Sequence, residues 1–447
     1  MDYGLGHKFR GSAPLSFARL RRGTEFIGWW QVGICFLIAM YYAVVIAWAL
    51  RYTFFSVDQA WGDDPPGFFV GDFLHAGEIE ISTDVVSGVL VPLLVVWLVV
   101  LAVMVLGVQR GIGLTSLFFN PVLVIVFLVL VVQAVTLDGA AGGLDAFFSP
   151  NWDALTEPGV WAAAYGQIFF SLSIGFGIMI THASYVNRRT DMTGSGLVVG
   201  FANSGFELLA GIGVFAALGF IAQAQGVAIG DAAQGGGVGL AFFAFPAIIS
   251  EAPAGALLGV LLFASLVIAG LTSLISVIEV VISAVRDKFE MSRLGASMAV
   301  GIPAAVISLV LFSTTSGLYV LDVLDHFINQ DGILVVAVVS MLVVAWGVRA
   351  LRTLAEHHDV YGSLKLGRTW TALVAVITPV ALTYVLVDGF VDELDEPYGA
   401  YPQWLLNSFG WGAAVAVIVF AVLASLVRWR PETSLETPPD VTEEATR

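Results

Sequence analysis

The chain has little charge and only one cysteine. Of its 447 residues, 12% are charged and 58% are hydrophobic, whereas soluble domains carry about 25% charged residues. This composition excludes a soluble enzyme with a polar surface, and it excludes a disordered chain. The one cysteine, Cys35, excludes an intrachain disulfide. Because it lies in an apolar run, we interpret it as a small buried apolar residue rather than a reactive thiol.

Basic residues, and lysines in particular, are scarce. The 19 Lys and Arg residues are outnumbered by 35 Asp and Glu residues, the formal net charge is −16, and the only lysines are Lys8, Lys288 and Lys365. Nucleic-acid binding needs clustered cations, so we expect no nucleic-acid partner. An acidic, lysine-poor exterior suits high salt, where repulsion among carboxylates is screened, so we expect a halophilic source.

Long apolar runs dominate the sequence. A membrane-spanning helix needs about 20 mostly apolar residues, and ten segments qualify: 27–55, 85–108, 114–137, 161–185, 197–222, 254–285, 295–312, 318–348, 370–387 and 404–427. We therefore predict an all-α integral membrane protein. Its transmembrane domain covers 1–430, and the polar residues 431–447 form a disordered cytoplasmic tail.

The distribution of basic residues predicts the orientation of these spans. If the N-terminal segment is cytoplasmic, every Lys and Arg except Arg51 falls in a segment on the cytoplasmic side. Acidic residues cluster in the opposite loops, for example in 58–84 and 388–396. We therefore expect a multi-pass protein of the cell membrane, in contact with the lipid bilayer, with both termini in the cytoplasm.

Three groups of polar residues interrupt the apolar spans. The first is FFSLSIGFG at 169–177, where Ser171 and Ser173 are followed by Gly175 and Gly177. Glycine lowers helix stability by about 1 kcal/mol relative to alanine, so the helix can open here and offer carbonyl and N–H groups to ions or an anionic ligand. A packing face of small residues is the alternative that remains open.

The second and third groups offer further oxygen ligands. Asn203 and Glu207 are four residues apart and share a helix face. A carboxylate in a span is costly, so Glu207 should be paired, protonated or near an ion, unless it makes a structural hydrogen bond. Thr272 and Ser273 place hydroxyls beside Gly270, which suits a hard cation such as Na⁺. The alternative is hydroxyls that bond back to the carbonyl one turn earlier.

Five motifs follow one another along the chain: Tyr41 and Tyr42, FFSLSIGFGIMITHASYV at 169–186, SGLVVGFANSGFE at 195–207, FPAIIS at 245–250 and AGLTSLIS at 269–276. In sequence and order they resemble the neurotransmitter:sodium symporter family, in particular its prokaryotic amino-acid transporters. The resemblance implies an inverted-repeat amino-acid transporter fold. It also implies sodium-coupled symport of a neutral amino acid by alternating access, with the amino acid as small-molecule substrate and Na⁺ as the required ion.

The resemblance further implies roles for individual residues. The substrate pocket would be lined by Ile38, Tyr42, Phe170, Ser171, Ser173, Phe176, Ser273 and Val277. The two sodium sites would use Ser171 and Asn203 in one, and Ala269, Thr272 and Ser273 in the other. Tyr42 would hold the substrate carboxylate through its hydroxyl.

Charged residues receive roles by the same resemblance. Glu207 stands where chloride-dependent members have serine, so its carboxylate would replace chloride and remove any chloride requirement. Asp325 would be the acid of the outer gate. Tyr185 and Asp287 would belong to the inner gate.

The family has twelve spans, and the chain has ten predicted spans. MDYGLGHKFRGSAPL at its start resembles the end of the family's second span and the following loop, so we expect an N-terminally truncated chain that lacks the first span and most of the second. The truncation would leave the sodium and substrate sites incomplete, and the 447 residues alone would not carry out coupled transport. A transport-inactive fragment or an accessory membrane subunit is therefore the alternative function. An ion channel would need a selectivity-filter sequence, and the chain contains none. An enzyme would need a set of catalytic residues, and the sequence shows no such set.

Overall fold

The computed structural model describes residues 1–77, 79–106, 108–232 and 241–436, and within these residues the regular structure is helical apart from one isolated bridge between Val85 and Thr314. The principal helices are α1 (Asp2–Phe9), α2 (Ala13–Leu20), α3 (Glu25–Phe55), α4 (Ser87–Leu106), α5 (Val108–Val135), α6 (Ala140–Phe148), α7 (Pro158–Ser171), α8 (Ile178–Tyr185), α9 (Met192–Gln225), α10 (Ala241–Glu251), α11 (Gly255–Phe289), α12 (Arg293–Phe312), α13 (Gly317–Gly347), α14 (Leu351–Asp359), α15 (Arg368–Asp395) and α16 (Gln403–Leu426). Short helical turns cover Arg22–Thr24, Pro65–Gly67, Phe68–Phe73, Asp153–Thr156, Ile229–Ala232 and Tyr398–Ala400.

The described residues contain eight helices that are long and apolar enough to span a membrane, or nine if a bent pair counts as one span. The prediction of ten uninterrupted spans is therefore corrected at two places. The predicted span 114–137 lies in α5, whose part Asn120–Val135 meets α6 at an angle of 107°. The predicted span 161–185 is divided into α7 and α8, because residues 172–177 leave the helix.

Helix α3 lies at the centre of the bundle. It packs against α11, α16, α4 and α2, and most of its side chains are buried. Near one end of α3, the fully buried Tyr52 contacts the rings of Phe69, Phe242 and Phe263. Such aromatic contacts add about 0.5–1.5 kcal/mol each to the free energy gained by burial. A central helix that is apolar all round is what its uniformly hydrophobic sequence predicts.

The two ends of the bundle carry different charges. At one end, Arg10 donates to the backbone oxygen of Ser184 at 2.8 Å, and Lys288 is ion-paired with Glu25. At the other end, the Tyr401 hydroxyl donates to Asp322 at 2.8 Å, close to the acidic segment 388–396. The segregation of basic and acidic segments that the sequence indicates is thus present in the fold. Which end faces the cytoplasm stays a prediction.

The first residues of the predicted tail lie against the basic end of the bundle. The Thr433 hydroxyl donates to the backbone oxygen of Asp287 at 2.9 Å, and Arg19 donates to the backbone oxygen of Ser434 at 2.8 Å. Thr433 and Ser434 therefore contact α11 and α2, and the disordered tail over 431–447 stays a prediction. Residues 437–447 of the predicted tail lie outside the described part of the chain.

Candidate functional site

The site is built around the break between α7 and α8. Backbone φ angles are positive at Ser173 (55°), Gly175 (86°) and Gly177 (91°). A Cβ atom on Gly175 would also lie 3.0 Å from Phe169 and 3.1 Å from Ala337. Glycine adopts positive φ without steric cost, so the sequence that predicts an open helix at 169–177 also supplies the residues that the open segment needs.

Three side chains bind the backbone groups that the break releases. Asp2 accepts a hydrogen bond from the Gly175 amide at 2.8 Å, and Gln31 donates to the Gly175 carbonyl at 2.9 Å. Cys35, buried as predicted, donates through its thiol to the Phe176 carbonyl at 3.0 Å. A buried polar group without a partner costs about 1–3 kcal/mol, so these contacts stabilise the break. Sequence analysis missed them, although Gln31 and Cys35 share one face of α3 by their spacing of four.

A cavity of about 410 Å³ lies beside the break. Its lining residues are Ile38, Tyr42, Gln167, Phe170, Ser171, Ser173, Phe176, Ile178, Met179, His182, Asn203, Ser273, Ser276 and Val277. All eight residues predicted to contact the substrate are among them. Sequence analysis missed Gln167, His182 and Ser276, of which Gln167 and Ser276 lie one helical turn from Ser171 and Ser273.

The lining of the cavity is mixed: six of its fourteen residues are apolar, and eight carry hydroxyl, amide or imidazole groups. The rings of Phe170 and Phe176 are nearly parallel, with centroids 6.2 Å apart. Among the described residues that line the cavity there is no Asp, Glu, Lys or Arg, and His182 is the one histidine. Such a lining favours a small uncharged ligand, whose polar groups would be bound by hydroxyl and amide side chains and whose apolar part would contact the aromatic and aliphatic residues.

The predicted ligands of the first sodium ion lie in contact. The Asn203 amide donates to the Ser171 hydroxyl at 3.1 Å, which joins α9 to the end of α7. One turn further along α9, Glu207 accepts a hydrogen bond from the Gln167 amide at 3.2 Å. The carboxylate that the sequence expects to be paired, protonated or near an ion is thus paired with an amide. Its charge lies within one helical turn of the ligand pair.

The predicted ligands of the second sodium ion lie together on α11. The Thr272 hydroxyl donates to the Ala269 carbonyl at 2.7 Å, which is close enough for one cation to contact both oxygens. The same hydrogen bond is the intrahelical alternative that the sequence leaves open. Ser273, also on α11, interacts with the hydroxyl of Tyr42 across the cavity. The geometry therefore brings these residues together, and their role as ligands stays a prediction.

The three predicted gate residues occupy opposite ends of the bundle. Asp325, in α13, accepts a hydrogen bond from Asn329 at 3.3 Å on the side of the acidic loops. Asp287, near the basic end of α11, accepts a hydrogen bond from the Ser12 amide at 2.8 Å. Tyr185 ends α8 at the same end as Asp287 and is 59% exposed. Their roles as gates stay predictions.

The chain is similar in sequence to known membrane transporters. A model of the sodium:neurotransmitter symporter family matches residues 1–66 and 62–432. An uncharacterized sodium-dependent transporter of Methanocaldococcus jannaschii is 35% identical over 434 residues, which cover 96% of this chain and 87% of the relative. The human sodium- and chloride-dependent GABA transporter 2 is 28% identical over 449 residues, which cover 90% of this chain and 73% of the relative.

A solved structure is similar as well. The crystal structure of MhsT in complex with L-phenylalanine matches with a TM-score of 0.76 and 27% sequence identity, over 87% of each chain. Because these matches extend over most of the chain and of its relatives, they do not support the expectation of a missing first span and an incomplete second one. The archaeal relative gives no support to a halophilic source.

Proposed function

Because this chain belongs to the sodium:neurotransmitter symporter family, whose members are transporters rather than enzymes, we propose that it takes up a neutral amino acid together with sodium across the cell membrane. The cavity beside the broken helix is the observation that carries this proposal. It combines hydroxyl, amide and apolar side chains beside the break, and among its described lining residues there is no Asp, Glu, Lys or Arg that would select a charged substrate. The presence of L-phenylalanine in the similar MhsT structure supports an amino acid as substrate.

Different residues of the cavity contact different parts of the substrate. The Tyr42 hydroxyl, which lines the cavity, binds the substrate carboxylate. Phe170, Phe176 and Val277 surround the apolar side chain. A neutral amino acid then leaves no uncompensated charge in the membrane interior.

Sodium is the co-substrate that drives the cycle. One ion is bound beside the substrate by Ser171 and Asn203, and a second by Ala269, Thr272 and Ser273 on α11. Since the first pair joins α7 to α9, an ion there favours the arrangement of α7 that also binds the substrate. This is a coupling free energy between two sites, and it is reciprocal: substrate raises sodium affinity by the same factor. Movement of Asp325 at one end and of Tyr185 and Asp287 at the other alternates access.

Uptake by the purified full chain in proteoliposomes tests the proposal. With sodium outside, radiolabelled neutral amino acids, phenylalanine included, should accumulate in a saturable manner, and replacement of Na⁺ by choline should abolish the accumulation. A folded chain that takes up none of the twenty amino acids under a sodium gradient would contradict the proposal and favour the accessory-subunit alternative.

We further predict that transport is independent of chloride, because Glu207 places a fixed negative charge beside Ser171 and Asn203. Replacement of chloride by gluconate should leave uptake unchanged. In Glu207→Ser, uptake should fall at least tenfold in gluconate and recover in chloride. A Glu207→Ser variant that is active and indifferent to chloride would show that the carboxylate has no such role. Glu251→Ser, which alters an exposed acid at the end of α10, is the control.

A further inference from the structure

A second polar cluster lies outside the cavity, at the end of the bundle with the acidic loops. It consists of His326 and Asp331 in α13 and Glu393 near the end of α15. One ligand atom of each side chain lies within 4.8 Å of the other two. None of these residues belongs to the proposed sodium, substrate or gate residues. Their convergence therefore needs its own physical explanation.

The backbone of α13 places two of the three side chains on one face. Residues His326–Gly332 form a π-helical turn, in which hydrogen bonds run between residues five apart. His326 and Asp331 are themselves five apart, so the π turn stacks them along the helix, whereas a regular α-helix would separate their directions by roughly 140°. Such turns are rare and occur often at functional sites.

The third side chain, that of Glu393, comes from α15. The ring of Tyr398 holds the His326 imidazole between the two acids. The His326 ring stacks on Tyr398, with centroids 3.7 Å apart and planes 7° apart. In this orientation its Nε2 atom contacts Glu393 Oε1 and lies 3.9 Å from Asp331 Oδ2. One ring nitrogen thus faces carboxylates from two helices.

Two carboxylate oxygens of the cluster have no hydrogen-bond donor within the described part of the chain. Asp331 Oδ2 and Glu393 Oε2 are buried and, among the described residues, accept no hydrogen bond. Burying a carboxylate oxygen without a partner is costly. Of all Lys and Arg residues, only Arg51 belongs by sequence to a segment at this end. Two carboxylates around one imidazole therefore leave negative charge that a cation from solution can neutralise.

We propose that His326, Asp331 and Glu393 bind a divalent transition-metal cation of the zinc type. Zinc takes imidazole nitrogen and carboxylate oxygen at about 2.0–2.2 Å, so two tetrahedral ligands lie roughly 3.4 Å apart. The ligand atoms of this cluster lie within 4.8 Å of one another, so small side-chain movements bring all three to one ion. The imidazole disfavours Ca²⁺ and Mg²⁺, which prefer oxygen ligands alone. Bound metal would connect α13 to α15 next to Asp325.

Room for the remaining ligands exists beside the cluster. Asp331 and Glu393 also border a half-open cavity of about 620 Å³ between α3, α13, α15 and α16. Water can therefore complete the coordination shell once three protein ligands are in place, as in zinc sites that keep an open position.

Calorimetric titration of Zn²⁺ into the full chain in detergent, after treatment with a chelator, tests the proposal. We expect one saturable site. His326→Gln, Asp331→Asn and Glu393→Gln should each weaken Zn²⁺ binding at least tenfold, because each removes one of three ligands. His75→Gln, which alters an exposed histidine in a different loop, is the matched control and should bind as the unmodified chain does.

Co²⁺ provides a second readout that does not depend on the stability of a variant. In the unmodified chain, Co²⁺ should give a visible d–d absorption band that Zn²⁺ displaces and Mg²⁺ does not. An absent band together with absent Zn²⁺ binding would overturn the proposal and leave the cluster as a protonated imidazole paired with two acids. Zn²⁺ binding that persists in folded Glu393→Gln and His326→Gln would overturn it as well.

Discussion

Each of the two proposed sodium sites should depend on its individual oxygen ligands. Asn203→Leu and Thr272→Val each remove one predicted ligand with little change in side-chain volume. We predict that each weakens apparent sodium affinity in uptake assays at least tenfold, or about 1.4 kcal/mol, because a sodium ion loses one contact and gains no other.

A matched substitution separates this effect from loss of structure. Thr53 in α3 also donates its hydroxyl to a carbonyl of its own helix, that of Ala49 at 3.0 Å, and it lies outside the cavity. Thr53→Val should therefore leave sodium affinity unchanged. Equal sodium affinity in Asn203→Leu, Thr272→Val and the unmodified chain would refute the assignment of ligands.

At the scale of the element, the break between α7 and α8 requires glycine. Gly175 has φ of 86° and tight contacts with Phe169 and Ala337. We predict that Gly175→Ala lowers stability by about 1–3 kcal/mol, because alanine in a left-handed conformation is strained, and that it reduces uptake. Thermal unfolding in detergent measures the first effect.

Another glycine of the same region serves as the control. Gly159 in α7 has open space around its Cβ position and no positive φ. Gly159→Ala should therefore keep the stability and the uptake of the unmodified chain. If Gly175→Ala proves as stable as Gly159→Ala, the break does not depend on glycine.

Helix α14 makes stability depend on pH. Burial of His358 against α1, together with the positive charge of the N-terminus, lowers the pKa of this histidine to about 3. Between that value and the unfolded pKa of about 6.5, the unfolded chain binds more protons. Stability should thus be fully present above about pH 6.5 and fall as pH decreases, by at most about 1.4 kcal/mol per pH unit for this group.

Thermal unfolding between pH 7.5 and 5 checks this prediction. In His358→Gln the decrease should be smaller than in the unmodified chain, because the titrating group is absent. His75→Gln, which changes an exposed histidine, should keep the full pH dependence. Identical pH profiles for all three proteins would show that His358 does not contribute.

At the scale of the whole molecule, the segregated charges predict the topology in the membrane. Asp63 and Arg189 are both exposed and belong to loops at the acidic and the basic end. Cysteines at these positions should react from opposite sides of intact cells, Asp63→Cys with an impermeant reagent outside and Arg189→Cys only after permeabilisation. Cys35 is buried and provides no competing label. Labelling of both positions from the same side would contradict the model.

Much of the fold follows from local rules. A bilayer requires about 20 apolar residues per helix, so the positions of most spans could be predicted from the sequence. The broken helix could be predicted too, because Gly175 and Gly177 weaken the helix wherever they occur. Span 114–137 was harder to predict, because composition does not report the bend of 107° between Asn120–Val135 and α6.

Contacts between side chains of different helices are harder to predict from the sequence than the positions of the helices. Helical spacing shows that Asn203 and Glu207 share a face, but it does not show that Gln167 of another helix meets Glu207. For the cavity, the resemblance to a family supplied the residues that periodicity alone would have left as packing residues. Gln167 was missed because it lies two residues before the motif at 169–186, whereas Ser276 ends the motif at 269–276 and the resemblance gave it no role.

The sequence by itself determined the membrane class, the segregation of charge and the weak point of α7, since each depends on residues that are close in the chain. Only the tertiary structure decided which groups bind the backbone of the break, and that His326, Asp331 and Glu393 lie together. Asp2 and Gly175 are 173 positions apart, and His326 and Glu393 are 67 apart. Their meeting depends on how whole helices pack, and a helical pattern specifies the face that is buried but not the partner that covers it.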